Sequence, residues 1–350
     1  LKASKEARPQ KMAKLRAMFD SGGELDSVRS FHAPLPLPLD PNVRVLGSLS
    51  HKARIFKSAM QPLGIAFATA PPEDTAALAA AAASASQRGW RAEYAVIFKN
   101  GDDLRQDQLV LQILMLVDKL LKEQGMDLRL TPYRVLATSP TEGFVEMVPD
   151  CMPLAQILAD NRGDIRKYFQ KEHPRDGAPY GIDPEILETF VRSCAGYCVA
   201  MYMLGVGDRH LDNLMLRSDG RLFHIDFGYM LGRDPKPFPP PMKLCKEMVE
   251  AMGGADSKLY GSFRLKCCEA FNILRANGNL ILNLLMLMVD ANVQHLQGEA
   301  DVAKVTEKLR LDLTNEEAAR YFQGLINDSV SALFPQVIEK LHEWAQYWRS

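Results

Sequence analysis

Residues 207–228 bring together, in one short stretch, the groups that a metal-bound polyphosphate requires. Gly207-Asp208-Arg209-His210-Leu211-Asp212-Asn213 precedes two strand-like runs, Leu214–Arg217 and Arg221–Ile225, which Ser218-Asp219-Gly220 separates. Asp226-Phe227-Gly228 follows at once. Asp-Gly between apolar runs signals a hairpin, so the spacing predicts that Asp226 returns to the end where Asp208, His210 and Asn213 stand. Carboxylate and amide oxygens there suit Mg²⁺ or Mn²⁺, hard cations that neutralise charge on the β- and γ-phosphates of ATP. Asn213 and Asp226 are the candidate ligands. A histidine side chain can take a hydroxyl proton, and His210 stands in this loop two positions after Asp208. Lys99, at the end of the best strand-like run in the chain, supplies an ammonium for phosphate. His224 reads as a support for the site.

The elements that position these groups follow from the pattern. Met12, Leu15, Met18 and Phe19 have helical spacing, and Gly22-Gly23 stops that helix. Residues 33–41 alternate proline and predict a stiff connector, so a domain boundary is expected at residue 34. Residues 1–33 then end a helical accessory domain. Arg44–Leu46, Gly64–Phe67 and Tyr94–Lys99 read as strands. The alanine tract Ala76–Ser86, within an insertion over 71–92, reads as a surface loop without a chemical role. Leu109, Ile113, Leu116 and Leu120 stripe a helix over 104–124. Further strands are expected near Tyr133–Leu136 and Gly143–Val148, after which Pro149, Cys151 and Pro153 break the pattern. The expectation is an α+β, bilobal protein-kinase-like fold. Its small β-rich N-lobe spans 34–148 and its larger, mainly helical C-lobe spans 149–350, with a catalytic loop at 205–213 and an activation segment at 226–248.

Composition narrows the class. The 350 residues carry 42 basic and 43 acidic side chains, so bulk charge demands no nucleic acid. Six cysteines form no C-x-x-C pair, which predicts reduced thiols inside a cell rather than a disulfide framework. The longest apolar run, Leu280–Val289, is too short to span a bilayer and is expected as a buried helix. The chain opens Leu1-Lys2-Ala3 with neither a methionine nor a targeting segment, and so reads as a fragment.

In protein kinases a catalytic Asp precedes a metal-binding Asn by five positions, and an Asp-Phe-Gly follows. Asp208 and Asn213 keep that spacing. Two features differ. The loop reads Asp-Arg-His rather than His-Arg-Asp, and no G-x-G-x-x-G precedes Lys99. Instead, Phe56-Lys57-Ser58-Ala59-Met60-Gln61-Pro62 offers amides, a hydroxyl and an ammonium. On these residues, with Ile97-Phe98-Lys99, Gly101–Asp107, Leu130–Tyr133 and His224–Tyr229, the chain resembles the phosphatidylinositol 3- and 4-kinases. Within them it is most similar to the class III phosphatidylinositol 3-kinases.

That resemblance implies a lipid kinase acting on the 3-hydroxyl of phosphatidylinositol, in endosomal trafficking and autophagy, with His210 as the base and Asp208 orienting the loop or sharing the proton, although the protein-kinase analogy favours Asp208 as the base. ATP would meet Lys57, Ser58, Lys99, Asp107, Tyr133, Glu146, Met147, Val148, Ile225 and Asp226. Relatives that accept bisphosphorylated headgroups carry a dense basic cluster after the Asp-Phe-Gly. Here Arg233, Lys236 and Lys243 are scattered, with Asp234 among them, which suits unmodified phosphatidylinositol. A C-terminal amphipathic helix over 336–349 would set Trp344, Tyr347 and Trp348 against the membrane. Implied partners are phosphatidylinositol membranes, a protein-kinase-like regulatory subunit and a beclin-type subunit. The implied place is the cytoplasm, peripheral on endosomal and autophagic membranes. Alternatives are a 4-kinase, a related Ser/Thr protein kinase, and a pseudokinase scaffold.

Overall fold

The computed structural model describes residues 6–57, 60–71, 91–237, 240 and 242–331. The body of the alanine-rich insertion, Ser58, and the expected helix with Trp344, Tyr347 and Trp348 lie outside the described residues. The chain forms two compact units, Leu1–Leu111 with Tyr133–Val148, and Gln112–Pro132 with Pro149–Ser350.

The first unit is the β-rich one. Helix α1 (Arg8–Phe19) has proline in its first turn, where the missing N–H costs nothing. Its Leu15 and Phe19 share a core with Ala53 and Ile55. The strands are β1 (Leu35–Leu37), β2 (Asp40–Ser48), β3 (Arg54–Ile55), β4 (Leu63–Thr69), β5 (Glu93–Asn100), β6 (Val135–Ser139) and β7 (Glu142–Glu146). They form an antiparallel sheet in the order β1-β2-β4-β5-β7-β6, with β3 on β4. Where the sequence suggests a connector, Leu35–Leu37 pairs with β2, and Pro36 stands opposite Arg44. A proline is tolerated there because an edge strand has one row of groups outside the ladder. The expected boundary at residue 34 therefore separates no compact units: α1 and β1 both belong to this one. Helix α2 (Arg105–Glu123) follows β5, and its first turns are the last of this unit before the chain crosses over.

The second unit is mainly helical. After α2 it contains β8 (Cys151–Pro153), α3 (Leu154–Asp160), α4 (Ile165–Glu172) and α5 (Pro184–Leu204), then the hairpin β9 (Leu214–Arg217) and β10 (Leu222–His224). Helices α6 (Lys246–Ala251), α7 (Lys258–Ala276), α8 (Gly278–Leu287), α9 (Glu299–Leu309) and α10 (Asn315–Ser331) complete it. The hairpin forms as its turn residues predict: Arg217 N–H donates to Arg221 O at 2.9 Å, and Gly220 takes φ +89°. One strand was not legible. Cys151–Pro153, which ends in a proline and closely follows Pro149, pairs with β9 to make a three-stranded sheet.

Helix α5 is the axis of this unit. Asp183 caps it, accepting the Glu185 N–H at 3.0 Å, and Gly205 ends it in the left-handed conformation. From Phe190 to Leu204 every residue but Arg192 is buried, so the helix is apolar all round, as a central helix must be. Tyr202 meets Phe271 of α7 and Phe322 of α10, with ring centroids 6.1 and 5.4 Å away. Its hydroxyl lies 2.9 Å from that of Tyr321.

The apolar run at Leu280–Val289 departs from expectation. Helix α8 buries Gly278, Ile281 and Leu285 and exposes Leu280, Met286 and Leu287, so it is a half-buried surface helix. No single described helix is long and apolar enough to cross a membrane.

Phe271 is fully buried between Tyr202 and Phe322. Phe271→Ala is expected to lower unfolding free energy by about 3–5 kcal/mol in urea titrations. Leu265→Ala, on the exposed side of the same helix, is expected to stay within about 0.5 kcal/mol.

Candidate active-site residues

In the second unit, the end of α5 passes directly into the loop that carries Asp208, Arg209, His210 and Asn213. This loop and the segment after β10 are joined by backbone pairing. Gly207 N–H donates to Tyr229 O at 3.0 Å, Leu231 N–H to Leu204 O at 2.8 Å, and Gly232 N–H to Gly205 O at 2.9 Å. Ile225 N–H donates to Asn213 O at 3.0 Å. Arg209 ties the same two segments from within. Its guanidinium donates to the carbonyls of Gly207 at 2.7 Å, Ile225 at 2.8 Å and Asp226, and stacks over the Phe227 ring at 5.6 Å. The predicted hairpin thus brings Asp208, His210, Asn213, Ile225 and Asp226 onto one hydrogen-bonded assembly.

The backbone is unusual where the functional groups sit. Asp208, Asp226 and Leu231 take φ of +52°, +60° and +56°. For Leu231 that is costly, and such conformations persist only where surrounding bonds impose them. Gly207 is required by close approach, since a Cβ there would lie 2.2 Å from Arg233 O.

Asn213 is buried and its amide N–H donates to Asp208 O at 3.1 Å, so the amide oxygen is the atom that could hold a metal. The Asp226 side chain is exposed and accepts the Gly228 N–H at 3.3 Å. His210 is exposed, 3.8 Å from Asp212. His224 differs in kind. Its ring is buried and stacks on Tyr197 at 5.0 Å, and burial, with Arg209 and Lys243, holds it neutral well below the usual histidine range. It is a packing residue, and His210 is the histidine open to a substrate. Among the described residues no group of three or more His, Cys, Asp or Glu is placed to hold a metal. Burial pushes the Cys198 thiol up to about 12.

In the first unit, Lys99 ends β5 opposite Gly143 of β7, and its ammonium pairs with Asp102 at 2.9 Å. Gly101 and Asp102 N–H both donate to Thr141 O, at 2.7 and 3.1 Å, fixing the turn after the strand. Asp107 lies in the first turn of α2, and Tyr133 is buried. Glu146 accepts the Arg134 N–H at 2.9 Å, while Met147 N–H donates to Ala95 O at 2.9 Å. A cavity of about 390 Å³ is lined by Met147 with Arg54, Ile65, Ala66, Glu93 and Ala95. Lys57 is exposed before β4, and Val148 is half-buried. Lys57, Lys99, Asp107, Tyr133, Glu146 and Val148 do not line that cavity.

Three groups were not singled out from the sequence. Arg209 stood in the motif without a role. Asp234 read as a charge diluting Arg233 and Lys236, but its carboxylate accepts the N–H of Asp208 and of Lys236, each at 2.8 Å. Lys308 of α9 joins Arg209, Arg233, Lys236 and Lys243 around a second cavity. The first two carried a local signal, since arginine and aspartate are the residues that satisfy loop carbonyls and amides. The third carried none.

A profile of the phosphatidylinositol 3- and 4-kinase family matches residues 93–298. The chain is 52% identical over 342 residues to the root isoform of phosphatidylinositol 3-kinase from Glycine max, covering 97% of this chain and 39% of that protein. It is 51% identical over 342 residues to the phosphatidylinositol 3-kinase VPS34 of Arabidopsis thaliana, covering 97% and 39%. For the VPS34 of Saccharomyces cerevisiae the figures are 46% over 319 residues, 91% and 34%. The chain spans about two fifths of the length of the first of these relatives.

Arg209→Met leaves the Gly207, Ile225 and Asp226 carbonyls without their donor. Charge-assisted bonds of this kind are worth about 1.5–3 kcal/mol each, so a loss of at least about 3 kcal/mol is expected in denaturant unfolding. Hydrogen exchange is expected to rise first at Ile225 and Leu231, whose amides bond across the two segments.

Proposed function

Because this chain belongs to the phosphatidylinositol 3- and 4-kinase family, we propose that it transfers the γ-phosphate of ATP to the 3-hydroxyl of phosphatidylinositol. The family has a kinase-like fold, and kinases use ATP and a divalent metal in general. The observation that supports the reading best is the assembly held by Arg209, which carries Asp208, His210, Asn213 and Asp226 together.

The donor set fits Mg²⁺ or Mn²⁺. Mg²⁺ is held by one or two protein oxygens plus substrate phosphates rather than by a full protein cage. Asn213 offers its amide oxygen and Asp226 an exposed carboxylate, and no larger cluster exists among the described residues. When bound, the metal would neutralise charge on the transferring phosphate. Lys99 would hold ATP phosphates, with Lys57 and Ser58 beside them. Asp107, Tyr133, Glu146, Met147, Val148 and Ile225 would shape the nucleotide pocket.

In the transfer, the 3-hydroxyl oxygen bonds to the γ-phosphorus, and the bond from that phosphorus to the β–γ bridging oxygen breaks. ADP leaves with the electron pair. The hydroxyl proton passes to His210, which is open to solvent. Asp208, locked by its own N–H to Asp234, orients the loop. Arg233, Lys236 and Lys243 would meet the single phosphodiester of the headgroup. We place the enzyme in the class III group, peripheral on endosomal and autophagic membranes, with a protein-kinase-like regulatory subunit and a beclin-type subunit.

The test is labelled ATP with Mg²⁺ and vesicles of phosphatidylinositol, its 4-phosphate or its 4,5-bisphosphate, with a peptide alongside. A 3-phosphate from phosphatidylinositol alone is expected, abolished by EDTA and reduced at least about 10³-fold by Asp226→Asn. A 4-phosphate product would assign a 4-kinase, and labelling of the peptide alone a protein kinase. ATP binding without transfer would leave a scaffold. His210→Ala is expected to lower kcat by about 10²–10⁴ with little change in KM for ATP; a larger loss from Asp208→Asn would move the base to Asp208.

A further inference from the structure

Lys308 stands outside every motif that marks this chain as a kinase. Helix α9 sets its ammonium 4.5 Å from the centre of the Tyr202 ring, in a largely buried position. No carboxylate among the described residues pairs with it, and burial lowers its proton affinity. An ammonium in that position is held by a ring face and has no counter-ion among the described residues.

The cavity it borders has about 220 Å³. That exceeds what one water needs and falls below the range of nucleotide-sized ligands. Its charged lining is Arg209, Arg233, Lys236, Lys243 and Lys308, against the single carboxylate of Asp234. Arg209 donates to the backbone carbonyls of Gly207, Ile225 and Asp226. The Asp234 carboxylate already accepts two backbone N–H groups. Arg233 has Asp301 at 3.5 Å, but Asp301 is shared with Lys304 at 3.0 Å. A cavity this small and this cationic matches one tetrahedral oxyanion.

We propose that Lys308 completes a phosphate-group site, in which it joins Arg233, Lys236 and Lys243 around one phosphate-sized anion beside the catalytic loop. On the function proposed above, that group is the phosphodiester of phosphatidylinositol; independently of it, the same chemistry takes free orthophosphate. Helix α9 then does more than support the fold. It reaches the segment after Asp-Phe-Gly twice, through Asp301 to Arg233 and through Lys308 across the cavity, so an anion bound there braces the segment against the helix.

Binding of inorganic phosphate is measured on the whole chain without nucleotide or metal, for the wild type, Lys308→Met, Lys308→Arg and the exposed-site control Lys119→Met. Lys308→Met is expected to weaken binding about tenfold, the size of one charge-assisted bond. Lys308→Arg is expected to restore most of it, and Lys119→Met to leave it unchanged. Should Lys308→Met fail to fold in denaturant titrations, Lys243→Gln reports on the same cavity. Phosphate affinity unaffected by both Lys308→Met and Lys243→Gln overturns the site. In the second arm, vesicles of phosphatidylinositol in phosphatidylcholine are the substrate. A tenfold rise in KM for the lipid with kcat within about twofold, and competition by phosphate, assign the lipid headgroup. Lys308-dependent phosphate binding with unchanged lipid KM assigns orthophosphate. If that binding persists where no lipid is phosphorylated at all, the site stands and the proposed function fails.

Discussion

The candidate active site depends on one buried guanidinium. Arg209 satisfies three carbonyls from two chain segments that are sixteen and seventeen residues from it or adjacent to it. An arginine can do this because its donors form a fixed planar fork that never deprotonates. The carbonyls belong to backbone in sparsely populated conformations, with Asp208 and Asp226 both at positive φ. Such backbone holds its shape only when over-determined by neighbours. Arg209, the Asp234 carboxylate and the Gly205–Gly232 pairing together supply that over-determination. Among the described residues, the side chains of Asn213 and Asp226 add only one short-range bond each, to Asp208 O and from Gly228 N–H, and the Asp226 carboxylate remains exposed.

The rest of the second unit stiffens this assembly from behind. Helix α5 is buried on every side and ends at Gly205, so its C-terminus sets where the loop begins. The hairpin fixes the other end, with β10 running straight into Asp226. Tyr197 stacks on His224 and donates to Thr131 O at 3.2 Å, which keeps an apolar, neutral layer under the polar loop. Neutrality there matters, since a charged His224 would add to the positive field that Arg209 and Lys243 already create. In the first unit, the sheet register places Lys99 opposite Gly143, where a Cβ would meet Leu136 O at 2.5 Å. That close approach is between β7 and β6, and the turn after Lys99 is fixed by Thr141.

The segment after Asp-Phe-Gly shows how a charge count differs from a charge arrangement. By sequence, Asp234 dilutes a weak basic cluster. In three dimensions its carboxylate is absorbed by backbone N–H groups, and the cations around it include one from a helix more than sixty residues further on. The local field is therefore more positive than the segment's own residues suggest.

What the sequence determined by itself was the order and spacing of the candidate catalytic groups. The five-residue spacing of Asp208 and Asn213, the Ser218-Asp219-Gly220 turn and Asp226-Phe227-Gly228 specified a hairpin and a candidate ligand set, because short-range backbone preferences and side-chain chemistry are local properties. The strands β2, β4 and β5 and the helix α2 were equally legible from period and composition. Other features were decided only by partners distant in sequence. Leu35–Leu37 became a strand because β2 offered an edge, and Cys151–Pro153 because β9 did. Helix α8 kept Leu280 and Leu287 in solvent, although an apolar run predicts burial. The grip of Arg209 and the place of Lys308 depend on the packing of α5, α9 and the post-hairpin segment, and no pattern within any one of them encodes it.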